Sequence, residues 1–420
     1  MPSPIGFEED PIGFYLSEDS IDANLIYTLY ATNRIPFHIP KTKNSPPLER
    51  FTIFPSDILH IGYVVHQIGD EDISWDELQR ESTARNRSKD LLITQVLSKT
   101  FADYELNNNM AQSRDQEDGL FVNINQALEL SFDKDLLVYV HGANSSFYRA
   151  TAQGAQFSHF TGHNTVVLTF SWPSAENIFK YKTDVLNAAK TVPAFSRLLE
   201  VLANKTKARK INILAYSAGA QVVAPGLASL RDMYPKESTE ELKKRLRIGE
   251  VYFASPDTDF APFIDRYMKF KDIVDRTTIN INANDTILRF AAIQNGISRL
   301  GRPDYEELTE EEALAVSRAL QDDSLDILNV GDSKPLELGG SHNSWYSHPW
   351  VSNDLLLLLL FNLSPADRGL ERYELGNGDI GFYFPDDYEQ KIKKIISKGK
   401  ENLAQDRERY IKKLQQKAEN

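Results

Sequence analysis

From Leu136 to Val330 the chain repeats one unit: a short apolar run, a turn, and a longer stretch with helical patterning. The strand-like runs are Leu136 to Val140, Val166 to Phe170, Ile211 to Leu214, Ile248 to Phe253, Thr277 to Asn282 and Leu325 to Val330, most of them apolar. Between them, helical patterns run to about Phe160 and over Leu186 to Ala203, Ala220 to Leu230, Ser238 to Arg247 and about Glu306 to Leu320. Ser238 with Glu241 three residues on forms a capping box at the start of its helix. Strands that alternate with helices and are apolar on both sides belong to a parallel sheet covered on both faces. The expected fold class is therefore α/β, a mostly parallel sheet with helices on both faces.

The remainder of the chain reads as additions to that frame. Residues 1–20, rich in Pro, Gly and acids, suggest a loose arm. Leu25 to Tyr30 and Ile61 to Gln67 read as early strands, with a Pro-rich polar loop from Lys41 to Arg50 between them. The 70–130 stretch reads as a helical insertion before Leu136, with Leu91, Leu92, Val96 and Leu97 on one face. Residues 1–362 are then one catalytic domain and 363–420 a C-terminal appendage. In the appendage Gly376-Asn377-Gly378 marks a turn before the strand-like Ile380 to Phe384. A long amphipathic helix follows, with Tyr388, Ile392, Ile396, Leu403, Tyr410 and Leu414 on one face.

Composition removes several function classes. A net charge of −13 argues against nucleic acid as the main partner, because phosphate binding needs a basic face. With no cysteine there is no disulfide, thiolate metal site or cysteine nucleophile. That absence slightly favours the cell envelope or secretion over the cytoplasm, although the first 20 residues show no signal peptide. The apolar run Leu355 to Phe361 is far shorter than the roughly 20 residues that span a bilayer, and reads as a buried helix. No metal and no cofactor are expected, since H-E-x-x-H, a P-loop and a dinucleotide fingerprint are all missing.

The chemistry is expected at Ala215-Tyr216-Ser217-Ala218-Gly219, a variant of the G-x-S-x-G nucleophile elbow. Such a turn passes from strand to helix so sharply that the residues two before and two after the serine must be small. A serine hydroxyl needs a base, usually His, which needs an orienting carboxylate. In hydrolases on this kind of sheet the chain order is Ser, then Asp or Glu, then His. Only His342 and His348 follow Ser217. His342, in a Gly-rich loop after the Leu325 to Val330 strand, is preferred over His348, which precedes Pro349. Asp285 and Asp257 each follow a strand and so sit at the sheet's carboxyl edge; Asp285 is preferred as the nearer to the histidine loop. The loop after Val140 and the residue after the serine would supply oxyanion donors, the N–H groups of Ala143 and Ala218.

Together the segments VYVHGAN (138–144), LTFSWPS (168–174), INILAYSAGAQV (211–222), FASPDTD (253–259), INANDTILRF (281–290) with ISRLG (297–301), and SHNSWY (341–346) resemble a bacterial α/β-hydrolase family of unknown function. YATNR (30–34) looks like part of the same pattern, so the resemblance runs from about Leu25 to Leu360. It implies an α/β-hydrolase fold with Ser217 as nucleophile, Asp285 as acid and His342 as base. The chain departs from the family's usual His before the serine, Met after it and Tyr at position 143, having Tyr216, Ala218 and Ala143. The expected function is a serine hydrolase that cleaves carboxylic esters of small-molecule or lipid-like substrates. Its rival is a non-catalytic hydrolase-like binding module. The C-terminal helix is a candidate for contact with a partner or a membrane surface.

Overall fold

The short apolar runs become the middle of one eleven-stranded sheet. The computed structural model describes residues 1–6, 24–37, 48–106, 117–131, 133–304, 306, 309–331, 336, 341–376 and 379–397. The chain opens with β1 (Leu25–Phe37), β2 (Arg50–Ile68), α1 (Trp75–Thr83), β3 (Ile93–Glu105) and α2 (Glu117–Leu130). There follow β4 (Leu136–Val140), α3 (Phe147–Phe160), β5 (Val166–Phe170), α4 (Tyr181–Lys205), β6 (Ile211–Tyr216), α5 (Ala220–Asp232) and α6 (Thr239–Leu246). Next are β7 (Ile248–Ala254), α7 (Phe260–Phe270), β8 (Val274–Ile281), α8 (Thr286–Asn295), α9 (Glu310–Leu320) and β9 (Leu325–Asn329). The last are α10 (Ser344–Ser347), α11 (Pro349–Phe361), β10 (Glu371–Gly376) and β11 (Asp379–Tyr383).

Across the sheet the order is β10-β11-β9-β8-β7-β6-β4-β5-β1-β2-β3. From β11 to β1 every pairing is parallel, and antiparallel strands finish both ends. Side chains alternate between faces along each strand. Leu136, Val138, Val140, Ile211, Ile213, Val251 and Phe253 pack with α2, α4, α5, α7 and α9. Leu137, Tyr139, Leu214 and Tyr252 pack on the other face with α3 and α11. Full burial of one such aliphatic side chain is worth about 1.5–3 kcal/mol, so the two layers hold these elements more than intrinsic propensity does. Helix α11 is buried from Val351 to Leu360; its Leu355 to Leu360 run is apolar all round, and its buried Asp354 pairs with Arg368. Among the described residues no helix is long and apolar enough to cross a membrane. The capping box at Ser238 and Glu241 is present.

The structure corrects the sequence reading at the periphery. The 70–130 stretch is not helical throughout: only α1 and α2 are, and β3 lies between them. Ser98, Thr100, Ala102 and Tyr104 are buried in alternation with Lys99, Phe101 and Asp103, a period of two. β-Branched Ile93, Thr94, Val96 and Thr100 suit a pleated strand, and β2 supplies the pairing partner. The beginning of the chain is not a loose arm over residues 1–6. Ile5 is buried and its N–H donates to Asn353 Oδ1 at 2.8 Å; residues 7–23 lie outside the described ones. Residues 363–397 are not a separate appendage either, because β11 joins β9 in the same sheet. The helical residues 388–397 bury Tyr388, Ile392 and Ile396 in the core that holds α11. Leu403, Tyr410 and Leu414 fall outside the described residues. Helices α7 and α8 were not anticipated.

Candidate active site

The turn from β6 into α5 carries the expected geometry. Ser217 has φ +52°, in the left-handed region that non-glycine residues rarely adopt. Ala215 is fully buried. At Gly219 a Cβ would lie 2.6 Å from the Val140 carbonyl oxygen and 2.9 Å from that of His141, so only glycine lets the loop after β4 approach this closely. At Gly142 a Cβ would be tight as well, meeting that of Ser217 at 3.0 Å. β4 lies between β5 and β6, so the chain leaves it in opposite directions, and the crevice at such a switch point is where open α/β sheets bind ligands. Ser217 and Ala143 both stand there. Ala218 is buried at the start of the turn into α5.

Three elements far apart in sequence converge on the serine. His342 Nε2 lies 2.8 Å from Ser217 Oγ, and His342 Nδ1 lies 2.7 Å from Asp285 Oδ2. Asp285 is fully buried at the end of the β8 loop, where its other oxygen accepts the Leu288 N–H at 2.9 Å and caps α8. Thus the carboxylate is held by a helix start on one side and faces the imidazole on the other. The histidine loop is fixed by Asn282 Nδ2 donating to the Ser341 carbonyl at 3.1 Å. It is also fixed by the Tyr216 ring, whose centroid is 5.4 Å from that of His342. A carboxylate at Nδ1 requires the ring proton there, which leaves the Nε2 lone pair to accept the serine O–H.

The alternative residues have other partners. His348 caps α11, accepting the Trp350 N–H at 3.2 Å, and burial pushes its pKa down to about 4. A neutral ring suits that acceptor role. Asp257 is buried against Arg299 Nε at 2.6 Å, and Arg299 also pairs with Asp259. Its N–H donates to the Ser217 carbonyl at 3.0 Å, so this residue braces the elbow's backbone.

The loop that carries Ala143 is supported by residues outside the triad. Asn144 N–H donates to Asp184 Oδ2 at 3.2 Å and Ser145 N–H to Ser174 Oγ at 2.9 Å. Arg34, fully buried at the end of the YATNR segment, donates to the Ser145 carbonyl at 2.8 Å and to the Ser171 carbonyl at 3.4 Å. Thr32 donates to the same Ser171 carbonyl at 2.6 Å. His141 stacks on Trp172 with centroids 5.2 Å apart, and burial beside Arg34 pushes its pKa down to about 3. It is a buried neutral ring that joins the loops after β4 and β5. Tyr216, Trp345 and Tyr346 form an aromatic wall beside His342. In the sequence the signal for these supports was a pair of charged or aromatic residues directly after apolar runs.

Residues 116–357, more than half of the chain, match a family described as α/β hydrolase of unknown function (DUF900). The matched region starts at α2 and includes Ser217, Asp285 and His342, while β1 with YATNR lies before it. An uncharacterised protein of Nostoc sp. (strain PCC 7120) is 28% identical over 196 residues, covering 39% of this chain and 48% of that protein. The chain thus spans about half the length of the curated relative it matches.

Proposed function

We propose that this chain, which belongs to the family of α/β hydrolases of unknown function, is a serine hydrolase that cleaves carboxylic esters. The observation that carries the proposal is the hydrogen-bonded line from Ser217 through His342 to Asp285, set on a serine with φ +52°. In the reaction Ser217 Oγ attacks the ester carbonyl carbon while its proton passes to His342 Nε2. Asp285 keeps the remaining ring proton on Nδ1 and stabilises the imidazolium that forms. The Ala143 and Ala218 N–H groups donate to the carbonyl oxygen as it gains charge. Collapse breaks the bond to the alkoxide, which takes the proton from His342 and leaves an acyl group on Ser217. Water then attacks the acyl carbon while giving a proton to His342 Nε2; the bond to Ser217 Oγ breaks, His342 returns the proton to that oxygen, and the carboxylic acid leaves. The preference for esters over amides rests on analogy with the fold's commonest chemistry.

Hydrolysis of a short-chain nitrophenyl ester by the purified protein tests this reading. Turnover that vanishes in Ser217→Ala supports it. Turnover that persists in Ser217→Ala, or is absent from the wild type with every soluble ester tried, opposes it.

A further inference from the structure

Two helices that begin at the site leave large apolar side chains in solvent. Helix α8, whose cap is Asp285 itself, exposes Phe290 (58%) and Ile293 (73%), and the same side continues to Ile297. At the head of α4, Phe179 is 95% exposed and Leu186 65%. The two edges meet: Val185 and Ile297 line one groove of about 500 Å³, together with Pro193, Pro225, Gln221 and the charged Asp259, Arg266 and Arg299. That volume lies in the range of small-molecule sites. Gln221 stands four residues after Ser217 on the elbow helix and donates to Tyr181 Oη at 3.1 Å and to the Asp257 carbonyl at 2.7 Å, and the Asp257 N–H in turn donates to the Ser217 carbonyl, so the groove is tied to the elbow through Asp257. Scattered single hydrophobics on a surface need no explanation, but a set of them on two helices that share one groove does.

The charges around this rim indicate what it meets. Lys180 and Lys182 follow the exposed Phe179, and Arg289 precedes Phe290. Among the described residues none of these three cations has a carboxylate partner, although Lys and Arg elsewhere are widely paired. No acidic residue occurs in 177–183 or 286–299. The carboxylates that border these segments and the groove are engaged: Asp184 by the Ala175 and Asn144 N–H groups, Asp285 by His342, Glu176 by Arg34, and Asp257 and Asp259 by Arg299. On a chain with a net charge of −13, the rim is a locally cationic and apolar surface. Apolar side chains that enter the headgroup boundary, with bare cations between them, match an anionic lipid surface.

We propose that the α4–α8 rim docks on an anionic lipid surface and that the groove takes the acyl chain of a lipid ester drawn from it. The substrate half of this proposal rests on the hydrolase reading above; the docking half does not. Cosedimentation of the full chain with vesicles of equimolar phosphatidylglycerol and phosphatidylcholine, beside pure phosphatidylcholine, is the test. Binding should be confined largely to the anionic vesicles and weaken as salt rises. Each of Lys180→Gln and Lys182→Gln should lower the partition coefficient about fivefold, the equivalent of about 1 kcal/mol per basic residue. Phe179→Ser with Phe290→Ser should remove most of the remaining binding while melting temperature and turnover of a soluble ester stay unchanged. Equal binding to both vesicles, no binding to either, or anionic binding indifferent to these variants would overturn the proposal. So would a change of oligomeric state in the Phe variants, which would make the rim a contact between copies. Vesicle binding by a protein inactive on all esters would sink the hydrolase reading and leave the docking intact.

Discussion

Replacing Asp285 with Asn separates the proposed acid from its neighbour Asp257 more sharply than any other change. Asn keeps the shape and retains a carbonyl oxygen to cap Leu288 N–H, which Asp285 Oδ1 accepts at 2.9 Å. It loses the charge 2.7 Å from His342 Nδ1. For unit charges roughly 4 Å apart at an effective dielectric of about 20, the lost attraction to the imidazolium is about 4 kcal/mol, or about a thousandfold in rate. The amide N–H₂ can also face Nδ1, which then holds no proton; Nε2 carries it instead and cannot accept from Ser217. In a serine protease the corresponding change lowers kcat about 10⁴-fold, and a loss between these two figures is expected here. Asp257→Asn should act on stability instead. Breaking a buried ion pair costs about 3–5 kcal/mol when one partner is stranded, and Asp259 remains beside Arg299, so the loss should fall below that range. Steady-state kcat on a nitrophenyl ester, with melting temperatures alongside, reads both effects. A folded, inactive Asp257→Asn beside an active Asp285→Asn would refute the assignment of the acid.

Three further outcomes follow from the same geometry. His342→Ala should lower kcat by several orders of magnitude, whereas His348→Ala should chiefly lower the melting temperature by removing the α11 cap, worth about 1 kcal/mol; kinetics and thermal melts on both variants check it. Gly219→Ala should reduce folded yield and activity together, because the added methyl meets the Val140 and His141 carbonyl oxygens and neither backbone can yield cheaply; soluble yield and circular dichroism report it. Buried Glu250 has its pKa pushed from the ordinary 4.5 up to about 7 by burial, with Arg368 and Arg276 acting in the opposite sense. Between those two values the folded state binds the extra proton, so stability falls as pH rises through that window and stays lower above it. The whole fall is about 3 kcal/mol, and Glu250→Gln should remove it from denaturant melts taken from pH 4.5 to 8.

The central sheet was readable because its strands are buried on both faces, which leaves short, mostly apolar runs such as LLVYV in β4 and VVLTF in β5. The same logic fails at the edge. Strand β3 carries Ser98, Thr100 and Lys99 among its apolar residues, and only its pairing with β2 gives the pattern meaning. Helix α8 was hidden because its apolar side chains Phe290 and Ile293 face solvent, not the core. Chain order narrowed the base to His342 and His348, since only these follow the serine, but left Asp285 and Asp257 both open; nearness to the histidine loop and the family resemblance favoured Asp285. The supports of these residues were not legible. Arg34 reaches the Ser145 carbonyl across 111 residues, and nothing local marks a buried arginine as the brace of a distant loop. Tyr216 likewise takes its place against His342 only once the loop has closed over it.

The central claim is that Ser217 is a nucleophile activated by its neighbours. A fluorophosphonate probe reacts with such a serine and spares ordinary hydroxyls, so mass spectrometry of the labelled full-length protein addresses the claim directly. The account predicts one adduct per chain, mapped to the peptide that contains Ser217, absent from Ser217→Ala and strongly slowed in His342→Ala. An unlabelled wild type, or an adduct that maps elsewhere and survives in Ser217→Ala, would contradict it.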